Sequence, residues 1–65
     1  MERTFEYRVN EELHYYSNLE DMIGDAKIEI EDENTYFLEI YDTFLGAVII
    51  EYEDGILNDK LGLLE

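Results

Sequence analysis

Acidic and apolar residues are interleaved along almost the whole of this chain, so its acidic surface and its core must be built from the same elements. Eighteen Asp or Glu stand against four Lys or Arg, a formal net charge of −14 over 65 residues. A disordered acidic tail is excluded: such tails lack aromatic and β-branched residues, and this chain is 46% hydrophobic and 14% aromatic. Residues 1–65 are expected to form one small acidic domain. At this size only about 60% of the unfolded surface can be buried, so charge repulsion acts on a fold with little stability in reserve.

The absence of cysteine excludes disulfides, thiolate metal sites and thiol nucleophiles together. The first residues carry no basic stretch followed by an apolar one, and the longest apolar run is Ala47 to Ile50. Neither a signal peptide nor a membrane span is expected, which gives a cytoplasmic location. The sign of the charge opposes adsorption to anionic lipid and direct binding of nucleic acid.

Phe5, Tyr7 and Val9 alternate with Glu6 and Arg8, the period-two pattern of a strand covered on one face. Asn10 offers a side-chain oxygen to cap a helix whose first turn holds Glu11 and Glu12. That helix would gather Leu13, Tyr15, Tyr16, Leu19, Met22 and Ile23 on one half of its wheel and stop at Gly24. A competing signal is the capping box Ser17-Asn18-Leu19-Glu20, which would start a shorter helix after Ser17. Ala26 to Glu31 alternates strictly, and the polar turn Asp32-Glu33-Asn34 leads into Thr35 to Tyr41, which predicts two hairpin-linked strands. Ala47 to Glu53 is a β-branched run stopped by Asp54-Gly55, a further strand. The tail from Ile56 to Leu64 is compatible with a helical turn or a short added strand. The expectation is an α+β fold of two layers, β-α-β-β-β, with one helix laid on an antiparallel sheet.

Catalytic chemistry finds little support. The one Ser and the one His, Ser17 and His14, fall three apart on the expected helix, but nothing supplies an oxyanion hole. The oxygen-rich run Glu31-Asp32-Glu33-Asn34 fails the EF-hand test, since counting from Asp32 puts Phe37 at the sixth position and Thr43 at the twelfth. The four scattered glycines form no phosphate cradle. No enzyme activity, cofactor or metal is expected.

The charge itself is the remaining lead. Side chains i and i+2 on a strand share a face at about 6.8 Å, so Glu29, Glu31 and Glu33 would form one row, and Glu51 and Glu53 another. Successive phosphates lie roughly 6 to 7 Å apart along a nucleic-acid backbone. Carboxylates at that separation suit a basic DNA-binding groove. Solubility alone is met by a net charge of about 2 to 8 in magnitude, so the larger excess points to a cationic partner. In size, acidity and aromatic content the chain resembles the small acidic inhibitors of phages and mobile elements that mimic DNA and block restriction enzymes, CRISPR effectors or repair glycosylases.

That resemblance implies an anti-CRISPR role first, in the host cytoplasm, with Glu29, Glu31, Asp32, Glu33, Glu51, Glu53 and Asp54 facing the Lys and Arg of a basic nucleic-acid-binding protein. Of the six tyrosines, Tyr36 and Tyr52 are expected in the core, and Tyr15 and Tyr41 at the contact with the partner. The alternative is an acidic interaction module, such as an antitoxin or small regulatory subunit, that neutralises a basic protein unrelated to nucleic acid. Because carboxylate repulsion opposes folding, added monovalent salt is expected to raise the melting temperature; a melting temperature indifferent to salt in a thermal scan would show the charges already paired or widely dispersed.

Overall fold

The chain opens with a β-hairpin, not a strand and a helix. The computed structural model describes residues 4–64. Strand β1 (Phe5–Val9) pairs antiparallel with β2 (Glu12–Tyr16), Val9 opposite Glu12 and Phe5 opposite Tyr16. The reversal is made at Asn10, whose φ of 53° lies in the left-handed region that Asn tolerates better than most residues. Asn10 therefore caps no helix. Its side-chain oxygen instead accepts the backbone N–H groups of Tyr36 at 3.0 Å and Phe37 at 3.2 Å, and its amide donates to the carbonyl of Asn34. One residue thus turns the first hairpin and fixes where the next strand begins.

The helix comes later than its first signal. Helix α1 (Leu19–Glu31) is capped by Asn18, which accepts the N–H of Asp21 at 3.0 Å, with Glu20 and Asp21 in the favourable first turn. The capping-box reading was thus close, with the cap one residue past Ser17. Ala26 to Glu31, which alternate like a strand, form the last two turns of this helix. Met22 and Ala26 are buried, Leu19, Ile23 and Ile30 pack beside them, and Ile28 is left 66% exposed. That spacing of inward residues is helical, and Lys, Glu and Ala in the segment are good helix formers. Gly24 stops nothing; it sits mid-helix with open space where a Cβ would stand.

Three strands complete the sheet: β3 (Phe37–Asp42), β4 (Ala47–Glu53) and β5 (Ile56–Asp59). Asp54 and Gly55, both at positive φ, make the tight β4–β5 turn, and the open reading of the tail resolves as a strand. The sheet order is β2-β1-β3-β4-β5, antiparallel throughout, so β2 and β5 are its edges. The α+β class with one helix on one face of an antiparallel sheet is as expected, with element order β-β-α-β-β-β.

Helix α1 covers one face, where Phe5, Tyr7, Val9, Leu38, Ile40 and Ile50 meet Met22 and Ala26. Leu63 and Leu64 pack against the same core, held by Asp59, whose carboxylate accepts both their N–H groups at 3.0 and 2.7 Å. Tyr36, expected inside, is 54% exposed; the tyrosine fully enclosed in the core is Tyr7. Among the described residues no helix lies on the other face of the sheet. No helix among the described residues is long and apolar enough to cross a membrane.

Asn10→Ala should lose about 2 kcal/mol or more, since it strands the backbone donors at the start of β3 and puts at positive φ a residue that tolerates that region less well than Asn. Asn10→Gly keeps the backbone freedom and should lose less. Chemical denaturation of the three proteins checks the order.

Candidate partner-binding site

The two layers divide the acidic residues unequally. On the uncovered face of the sheet, Tyr15, Glu6 and Tyr41 lie side by side across β2, β1 and β3. The next row runs Leu13, Arg8, Glu39, Glu51 and Asn58, and beyond it Phe37, Glu53 and Ile56. Glu39 and Glu51 stand directly opposite each other, a like-charge pair that weakens a sheet. Cations relieve it from both sides: Arg8 is opposite Glu39, and Lys60 reaches Glu51 at 3.6 Å. Glu51 and Glu53 do share a face as expected, above a shallow concavity of about 470 Å³ that also includes Phe37, Glu39, Asp54 and Ile56.

The expected row of Glu29, Glu31 and Glu33 does not exist, because these residues are not on a strand. On α1, Glu29 and Glu31 are turned about 200° from each other, and Glu33 lies beyond the helix in the turn before β3. Asp32 is the C-cap; its carboxylate accepts the N–H of Asn34 at 2.9 Å. Of the residues expected to meet a partner, Tyr15, Tyr41, Glu51 and Glu53 are therefore together on the open face, with Asp54 at the β4–β5 turn. Glu29, Glu31, Asp32 and Glu33 belong to the helix layer.

The helix layer holds the row that the strand reading missed. Asp21, Asp25 and Glu29 follow one another at i, i+4 and i+8, one stripe rising about 6 Å per step. The stripe faces β2, since Asp25, Ile28 and Glu29 share a cleft of about 290 Å³ with Glu12, His14 and Tyr16. Lys27, the one basic residue of α1, lies on the opposite flank, grouped with Glu31, Leu57 and Leu64. The stripe is costly to the helix. Like charges at i, i+4 repel, and Glu29 and Glu31 sit in a last turn with no basic residue, where the helix dipole disfavours anions. The i, i+4, i+8 spacing was present in the sequence and is visible once residues 19–31 are read as a helix.

At the floor of this cleft Tyr7 makes edge contacts with the rings of Tyr16 and His14, at 5.2 and 6.4 Å between centroids. The Tyr16 hydroxyl donates to Asp25, and His14 Nε2 lies 3.4 Å from Glu12. Among the described residues, no three His, Asp or Glu side chains are placed to hold a metal ion. His14 and Ser17 do not share a helix: His14 stands on β2 with its ring against Tyr7, and Ser17 follows that strand. No protein-family model, curated protein or solved structure matches the chain.

Burial raises the pKa of the Tyr7 hydroxyl far above its ordinary 10.0, and the charges of Glu29 and Asp25 raise it further. The folded state thus holds this proton more tightly than the unfolded chain does. The resulting stability is fully present below about pH 10 and is lost as the pH rises beyond it. Melting temperatures between about pH 9 and 11 should fall more steeply for the native chain than for Tyr7→Phe. At neutral pH that variant should be as stable as the native chain or more so, because it removes a buried hydroxyl that has no hydrogen-bond partner among the described residues.

Proposed function

We propose that this chain inhibits a nucleic-acid-binding protein by seating the α1 stripe in the basic groove that otherwise holds a nucleic-acid backbone. The observation that carries this reading is the row Asp21, Asp25 and Glu29, whose step of about 6 Å is close to the roughly 6 to 7 Å between successive phosphates. A row that weakens its own helix is explained by a partner that supplies the missing cations. The overall charge of −14 acts in the same sense, steering the chain toward basic surfaces and away from free nucleic acid.

The helix side is favoured over the open face because Arg8 and Lys60 already answer Glu39 and Glu51 there. Ile28, exposed beside the stripe, adds an apolar contact near its Glu29 end. Defence enzymes are the target class this reading selects, with CRISPR effectors first and restriction and repair enzymes next.

The test is competition between this chain and DNA for such an effector, followed at several salt concentrations. Binding of the two should be mutually exclusive and should weaken steeply with salt. Asp25→Asn combined with Glu29→Gln should reduce affinity by roughly tenfold or more, and Glu51→Gln with Glu53→Gln by less than about threefold. The helix variant should melt no lower than the native chain, since it removes repulsion. A ternary complex holding DNA and this chain together would overturn the reading in favour of a regulatory subunit or antitoxin. So would a larger loss from the open-face pair.

A further inference from the structure

The cleft between α1 and β2 contains a polar group that a row of carboxylates leaves unexplained. Tyr7 is only 2% exposed, and its hydroxyl is, among the described residues, the buried side-chain atom without a hydrogen-bond partner. It shares the cleft with Glu29 and Asp25, and burial first, then the charges of those two carboxylates, hold its proton in place. Burying a hydroxyl unpaired is a standing cost, and a fold this small gains nothing by bearing it unless something satisfies the group.

The surroundings define what could do so. Asp25 and Glu29 supply acceptors from the helix and Glu12 from the strand, while Tyr16 and His14 form an aromatic wall. The carboxylates do not converge as a metal site requires. A planar cation with several divergent N–H groups can reach them separately and can also stack on an aromatic ring. At about 290 Å³ the cleft is at the lower limit of small-molecule sites, which suits a single side chain.

We propose that this cleft receives the guanidinium of an arginine side chain from the partner, with Asp25 and Glu29 accepting its N–H groups, the Tyr7 oxygen accepting another, and Tyr16 stacking against its plane. The proposal rests on the reading above that a cationic protein seats on the helix side. Tyr7 lines the cleft with its hydroxyl closed to solvent, so entry requires the side chains around that hydroxyl to move.

The experiment is an NMR titration of the full chain with N-acetyl-arginine amide, set beside N-acetyl-lysine amide and the uncharged isostere N-acetyl-citrulline amide. Arginine should give saturable shifts clustered on Tyr7, His14, Tyr16, Asp25 and Glu29, lysine weaker ones, and citrulline none. Glu29→Gln should weaken arginine binding by roughly tenfold, the order expected for one hydrogen bond between charged groups, and Tyr7→Phe by a smaller factor. Shifts spread over all acidic residues, equal binding of lysine or citrulline, or arginine binding untouched by both variants would each overturn the proposal. Neither DNA nor an effector is present in this titration. A chain that competes with DNA but ignores arginine loses the slot and keeps the groove reading, and the opposite pair of results does the reverse.

Discussion

The left-handed backbone at Asn10 is the constraint on which the architecture depends. It returns the chain after five residues of β1 so that Glu12–Tyr16 pair with them, and it lends its side chain to the N–H groups that open β3. With β2 formed, the helix must start beyond Tyr16, at the Asn18 cap. The whole run from Leu19 to Glu31 then becomes available to cross the sheet. Were Asn10 a helix cap instead, β1 would have β3 alone as a neighbour and the Tyr7 ring would lose Tyr16 and His14 as cover.

Once the layers are set, electrostatics separates them. Arg8 and Lys60 both fall on the open sheet face, close to Glu39 and Glu51, and that surface is partly neutralised from within. Among the described residues no Lys or Arg pairs with the stripe of α1 facing β2, and the last turn of the helix sets Glu29 and Glu31 against the helix dipole. Each of these choices costs the helix a few tenths of a kcal/mol to about 1 kcal/mol. In a chain with little stability in reserve, a repeated local cost of that kind is the observation on which the proposed partner rests.

The strands with a single strong pattern were legible from the residues: β1, most of β3, all of β4 and the Asp54-Gly55 turn follow from alternation and β-branched runs. The errors fall where two periods fit the same letters. In Ala26-Lys27-Ile28-Glu29-Ile30-Glu31, alternation and helical spacing both place apolar residues on a face. The contest is decided by Leu19, Met22 and Ile23 upstream, which extend only the helical set. Residues 12–16 could join either element until the conformation of Asn10 is known, and a side chain able to cap a helix is equally able to support a left-handed turn. The candidate site inherited these errors, because a row of acids at i, i+2 on a strand becomes scattered on a helix while i, i+4 becomes continuous.

The sheet ends in two unprotected edges, β2 and β5, and its outer face exposes Leu13, Tyr15 and Ile56. Such margins are templates for strand-to-strand polymerisation between copies. Here the guard is a coat of like charge, with Glu11 and Glu12 at one margin and Asp54 at the turn into the other. That guard is titratable: near the isoelectric point of about 4.1 it vanishes, and acidification turns a protein kept apart by mutual repulsion into one primed to stack edge on edge.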